Sequence, residues 1–205
     1  YPTATLVTGQ DIIFFWVARM IMAGMEYKHA KPFSDVYFTG MVRDKQGRKM
    51  SKSLGNSPDL LHLIHEYGAD AVRFGIMISS PAGNDLLFDE SSLEQGKFFN
   101  NKIWNALKLV QMWSARISDE PRANSEPYNF ATNWFENRLN EVRTDVDNLM
   151  KQFRLSEALK TIYSLIWDDF CSWYLEWIKP GFEENISENV YLKTVSFFED
   201  LLQLL

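Results

Sequence analysis

The chain has 205 residues, is 46% hydrophobic, and carries a formal net charge of −6 from 21 basic and 27 acidic side chains. That is enough for one domain or two small ones with a real core, and the acidic balance excludes a protein that coats nucleic acid over its whole surface by counterion release. Its single cysteine, Cys171, excludes an intramolecular disulfide framework and a cysteine-only zinc site, fits a reducing compartment, and reads as a small buried apolar residue.

The sequence opens on Tyr1-Pro2-Thr3 without a leader pattern and stops at Leu205 inside a helical pattern, as a piece of a longer protein would. Asp11 to Met25 (DIIFFWVARMIMAGM) is apolar on nearly every side and predicts a helix covered by neighbours and ending near Gly24. It is too short to span a bilayer and contains Arg19. Val36 to Val42 (VYFTGMV), short, β-rich and unalternating, predicts a strand buried on both faces. Ser57-Pro58-Asp59 supplies an N-cap, a proline at the first helical position and an acid for the dipole; LLHLIHEY follows, and Gly68 closes it. Asp70 is then placed to cap AVRFGIMI, and Ser79 to Asp85 is turn chemistry, the best boundary between two regions.

From Asp89 onward three long helices and part of a fourth are expected. Phe135, Leu139, Val142, Val146, Leu149 and Phe153 make one apolar stripe, and Leu159, Ile162, Ile166, Phe170, Trp173 and Trp177 another. Such stripes pack antiparallel helices into a bundle. The loop around Pro121 to Pro127 separates the first two helices, Arg154 to Ser156 bends the chain, and Pro180-Gly181 ends the third helix.

Within the first of these regions lies the densest charge of the chain. Between Arg43 and Lys52 five cations, Arg43, Lys45, Arg48, Lys49 and Lys52, face one acid, Asp44, and Gly47 and Gly55 bracket the core of the run. Glycines permit a loop that closes, and lysines present compact charges able to follow phosphate oxygens. A run of this kind by composition alone is a solvated basic turn, and no Walker spacing is present. The pentapeptide Lys49-Met50-Ser51-Lys52-Ser53 decides between them: KMSKS resembles the signature loop of class I aminoacyl-tRNA synthetases. Thr8-Gly9-Gln10-Asp11-Ile12-Ile13-Phe14-Phe15-Trp16 is similar to the T-G-x-D-I-I-F-F-W segment of the valyl-tRNA synthetase family, where isoleucyl enzymes carry G-x-D-Q-x-x-G-W-F. Gly68 to Phe74, Asn84 to Asp89, Asn101 to Ala106 and Phe170 to Tyr174 extend the resemblance over the whole chain.

The resemblance implies a mainly α fold: the last α/β part of a Rossmann-like catalytic domain over residues 1–80, then an α-helical anticodon-binding bundle over residues 81–205. It implies that the parent activates valine with ATP and Mg²⁺ to valyl-adenylate, then transfers it to tRNA(Val). Lys49 and Lys52 are the implied catalytic contacts to the triphosphate, with Gly9, Asp11, Met50, Ser51 and Ser53 completing the ATP site. Ile12 and Trp16 are the implied walls of the valine pocket. Asp11 read alone is equally a helix N-cap, and Ile12 and Trp16 equally core. Asn105 is the candidate anticodon reader, with Lys102 and Lys108 as phosphate contacts, although bases could as well stack on Trp104 or Phe98. An upstream HIGH-type motif and an editing domain are expected outside these residues, so the fragment alone should be inactive; the parent is expected to be a cytoplasmic monomer. His62, His65 and Glu66 match no metal-binding order, and no metal site is expected. An isoleucyl- or leucyl-type synthetase, or a non-catalytic helical RNA-binding module, is the alternative.

Overall fold

A computed structural model describes residues 1–81, 83–118, 126–182 and 184–205. Strand β1 (Thr3–Gly9) leads through a tight 3-10 turn (Gln10–Ile12) and a wider π turn (Ile13–Val17) into helix α1 (Ala18–Lys28). Strand β2 (Phe33–Thr39) then returns parallel to β1, pairing Thr3 with Phe33 through Gly9 with Thr39. After a break at Gly40, strand β3 (Val42–Arg43) pairs in parallel with β4 (Leu86–Leu87). Gly40 is required at the break: a Cβ there would sit 1.7 Å from the Asn84 carbonyl oxygen.

Helices α2 (Leu60–Tyr67) and α3 (Ala69–Ile78) follow the basic loop. The cap of α2 is Asp59, whose carboxylate accepts the Leu61 N–H at 3.0 Å, so the helix starts two residues later than the Ser57-Pro58 reading placed it. Gly68 at φ 92° closes α2, the conformation that favours glycine, and also precedes α3. Asp70 therefore lies inside the first turn of α3 and makes no cap.

Helix α4 (Glu90–Trp113), capped by Asp89, crosses α3 at close range. A Cβ on Gly96 would meet the Ala71 carbonyl oxygen at 2.6 Å, and one on Gly75 the Ser92 carbonyl oxygen at 2.7 Å. Strand β5 (Ile117–Ser118) pairs with β6 (Ile186–Ser187), helix α5 (Glu126–Lys151) runs back, and α6 (Leu155–Ser164) begins after a bend in which Phe153 takes φ 57°. The expected loop ahead of α5 falls largely on 119–125, outside the described residues. A ten-residue π segment (Leu165–Tyr174) carries α6 into α7 (Leu175–Ile178), and α8 (Glu188–Leu204) closes the bundle.

The core belongs to the bundle. Phe135, Leu139, Val142, Leu165, Phe170, Tyr174 and Ile178 are all but inaccessible, and Phe74, Ile78 and Phe99 join them from α3 and α4. The aromatic rings interlock: Phe135 lies 5.0 Å from Tyr174 and 5.1 Å from Phe197 between ring centres. Buried Tyr174 shares a 2.9 Å hydrogen bond with Thr194, so its hydroxyl is satisfied in the apolar interior. Cys171 is buried as expected, and burial pushes its thiol up to about 11.

Three expectations are corrected. In the third long helix the buried ladder runs Ile162, Ile166, Phe170, Tyr174, Ile178, every fourth residue, because π turns are wider than 3.6 residues. Trp173 and Trp177 are rotated outward, 54% and 40% exposed. The expected buried helix near the start is not covered: of residues 11–25, Val17 and Gly24 alone are buried, and Phe14 is 88% exposed. The strand expected over Val36 to Val42 is split at Gly40 and half-buried rather than enclosed, with β1 as its sheet neighbour.

Candidate functional site

The basic loop leaves the sheet at β3 and folds back on itself. Asp44 N–H donates to the Arg48 carbonyl at 2.9 Å, Gly47 N–H to the Asp44 carbonyl at 2.8 Å, and Met50 N–H to the Val42 carbonyl at 3.1 Å. Gly47 at φ 77° supplies the left-handed turn. Beyond it, Gly55 at φ 63° ends a short turn in which its N–H donates to the Lys52 carbonyl at 3.2 Å.

The centre of the loop is an acid. Asp44, 7% exposed, accepts hydrogen bonds from the Gln46 and Arg48 N–H groups, from Arg48 Nε and from Asn56 Nδ2, all between 2.8 and 3.0 Å. The Asn56 amide first, then the Arg48 donors, hold its carboxyl down at about 2, outweighing its desolvation. Asp85 and Asp89 sort two further cations: Arg43 pairs with Asp85, which also accepts the Met41 N–H at 2.9 Å, and Lys45 lies 3.0 Å from Asp89. Both carboxyls are lowered, Asp85 chiefly by Arg43 and Asp89 chiefly by the Ser91 N–H.

Three of the five cations thus tie the loop to acids of its own fold, and the remaining two are the signature lysines. Lys49 Nζ stands 3.8 Å from an Asp11 carboxylate oxygen, with both side chains more than half exposed. Lys52 is exposed and forms no ion pair among the described residues. Gly9 is part of the same corner, since a Cβ there would lie 2.8 Å from Asp11 Oδ1. The structure therefore brings Gly9, Asp11 and Lys49 together, with Met50 half-buried and Ser51 and Ser53 hydroxyls 3.1 Å apart. A cavity of about 300 Å³ adjoins the loop, lined in part by Asp44, Arg48, Met50 and Asn56.

Ile12 and Trp16 lie on turns of different width. Ile12 closes the 3-10 turn and is half-buried; Trp16 is 59% exposed, with the Arg19 guanidinium 5.7 Å above its ring. On α4, Asn105 and Lys108 share an exposed face with Trp104, over whose ring Lys108 Nζ sits at 5.4 Å. Lys102 is turned toward the bundle, its Nζ 5.2 Å above the Trp167 ring. Outside both groups, His62 faces Glu66 one helical turn away at 3.7 Å.

Sequence reasoning missed the acids and the amide: Asp44, Asp85, Asp89 and Asn56 as organisers of the loop. The signal for Asp44 was available, since a lone carboxylate followed three residues later by Gly47 is a turn signature.

Residues 1–89 match the family of class I tRNA synthetases for isoleucine, leucine, methionine and valine, and residues 132–205 match the anticodon-binding domain of tRNA ligases. Over all 205 residues the chain is 58% identical to the valine–tRNA ligase of Phocaeicola vulgatus, and over 198 residues, 92% of the chain, it is 45% identical to that of Chlorobaculum tepidum. It spans 23% of the length of the first of these relatives and 22% of the second. Among solved structures, a ternary complex of Agrobacterium radiobacter LeuRS with tRNA and LeuAMS has the same fold at TM-score 0.72 and 18% identity, covering 100% of this chain and 26% of that one. Methionyl-tRNA synthetase of Mycobacterium tuberculosis bound by methionyl-adenylate follows at 0.69 and 18%, covering 98% of this chain and 39% of that one. With the signature loop, the α/β corner beside it and the helical bundle all in place, the chain belongs to the class I tRNA synthetases, in the branch of the valine–tRNA ligases.

Proposed function

We propose that the full-length protein joins valine to ATP and passes the resulting valyl group to tRNA(Val). In the first step a valine carboxylate oxygen bonds to the α-phosphorus, the bond from that phosphorus to the β-bridging oxygen breaks, and pyrophosphate leaves with the electron pair. The nucleophile is already ionised, so no general base is needed; the enzyme's task is to position the reactants and stabilise charge spreading over the phosphates. Magnesium enters with the nucleotide as part of the substrate.

The observation that carries this reading is the sorting of the loop cations: Arg43, Lys45 and Arg48 are paired with Asp85, Asp89 and Asp44, which leaves Lys52 without an ion pair among the described residues and Lys49 loosely held by Asp11. Lys52 is assigned the transition-state contact to the triphosphate. Lys49 joins it by leaving Asp11, which then accepts ribose hydroxyl protons, while Gly9 lets the backbone approach the adenylate. Ser51 and Ser53 donate hydroxyls, and Met50 supports the turn. Ile12 and Trp16 wall the valine side chain. Residues 81–205 form the anticodon-binding part and residues 1–80 the catalytic part. Asn105 reads a splayed anticodon base beside Trp104, Lys108 meets phosphate, and Lys102 would have to leave Trp167 to do so.

Valine-dependent ATP–pyrophosphate exchange by the full-length protein, run beside isoleucine and threonine, tests the assignment. Valine should be the best substrate, with threonine about 10²-fold poorer because an apolar pocket rejects an added hydroxyl weakly. Exchange that prefers isoleucine, or none with any of the three, overturns it.

A further inference from the structure

We infer that Asp44 and Asn56 are positioning residues that hold the backbone of Lys49 to Ser51 and thereby aim the two signature lysines. The inference rests on the reading of Lys49 and Lys52 as triphosphate contacts.

The sheet supports the loop as far as the Met50 N–H, which donates to the Val42 carbonyl, and the bridge between Arg43 and Lys49. Past that point the ladder ends, and Asn56 takes over. Its Oδ1 accepts the Ser51 N–H at 2.9 Å, while its Nδ2 donates to the Lys49 carbonyl at 3.3 Å and to Asp44 Oδ2 at 2.9 Å. One amide therefore brackets Met50 from both sides and closes residues 49–56 into a ring. Asp44 anchors that amide from the buried side while binding the Gln46 and Arg48 N–H groups through its other oxygen.

Within the ring, the turn carrying Lys52 is held, among the described residues, by bonds of its own: Leu54 N–H to Ser51 Oγ at 3.3 Å, the Ser51 and Ser53 hydroxyls 3.1 Å apart, and Gly55 N–H to the Lys52 carbonyl. It hangs from the Asp44–Asn56 pair. A donor acting on developing charge must be aimed before the reaction, and a displacement of about 1 Å can cost about 10²-fold in rate. Neither Asp44 nor Asn56 has to touch the nucleotide for its loss to be felt in turnover.

The experiment measures valine-dependent ATP–pyrophosphate exchange in the full-length protein carrying Asn56→Ala, Asn56→Asp, Asp44→Asn, the double variant D44N/N56D, or Lys52→Ala as reference. Asn56→Ala should lower kcat about tenfold to hundredfold while KM for valine stays within about twofold, because the lost interaction serves the transition state and not valine binding. Asn56→Asp should be worse, since it sets two carboxylates against each other. The double variant exchanges amide and carboxylate, regains the hydrogen bond between positions 44 and 56, and should recover at least about fivefold over Asn56→Asp. That recovery also separates a broken hub from a misfolded protein. Unchanged kcat in Asn56→Ala, or a double variant no better than Asn56→Asp, overturns the inference while an impaired Lys52→Ala leaves the function standing. An unimpaired Lys52→Ala instead overturns the assigned role of the loop itself.

Discussion

The two ends of this chain treat their apolar residues in opposite ways. Phe135, in α5, is fully buried among Phe170, Tyr174 and Phe197; Phe14, in a far more apolar stretch, is 88% exposed. The bundle contains both halves of its own packing, so helical periodicity in one element meets periodicity in another. The early α/β corner presents an apolar segment on one two-stranded sheet, and its composition by itself says nothing of what covers it.

This contrast can be broken by mutation. Phe135→Ala should cost about 3–5 kcal/mol in urea unfolding of the 205-residue chain, since it opens a cavity in a core already filled by rings. Gly96→Ala should cost about 1–3 kcal/mol by forcing α3 and α4 apart where a Cβ would meet the Ala71 carbonyl oxygen at 2.6 Å. Tyr174→Phe should cost about 1 kcal/mol, because it removes one buried hydrogen bond while Thr194 keeps its 2.7 Å bond to the Val190 carbonyl. Phe14→Ala should stay within about 0.5 kcal/mol, as expected of a side chain without a packed environment. A Phe14→Ala cost equal to that of Phe135→Ala would erase the distinction between the two regions.

A pH titration sharpens the same comparison at the loop. The carboxyl of Asp44 is depressed to about 2, below an ordinary value near 3.9. Its contribution is therefore present above the ordinary value and is lost as pH falls through that range toward 2. Carboxyl NMR shifts of Asp44 should show a midpoint near 2, moved up toward the ordinary range by Asn56→Ala, which removes the largest cause of the depression.

Sequence legibility followed the same division. The order of helices, the bend after α5, the helix end before Pro180-Gly181 and the buried Cys171 were all readable, because each depends on local chemistry or on a period. The outward turn of Trp173 and Trp177 was not, because the π segment changes the period without any proline or glycine between Leu165 and Tyr174 to mark it. Strand β1 was missed, its seven residues TATLVTG alternating too weakly to stand out. At the site, the lysines were legible as a literal motif. The distant supporting acids were not, since Asp85 and Asp89 lie some forty residues from the cations they hold, whereas Asp44 could have been read from its turn. No helix among the described residues is long and apolar enough to cross a membrane.

In the proposed function Lys52, without an ion pair among the described residues, stabilises the triphosphate during adenylate formation. Lys52→Ala in the full-length protein, assayed for valine-dependent ATP–pyrophosphate exchange and for tRNA(Val) binding, tests it directly. Loss of one preorganised charge at the reacting phosphates should slow exchange by about 10²-fold or more and leave tRNA affinity within about twofold. Exchange at the wild-type rate would contradict it.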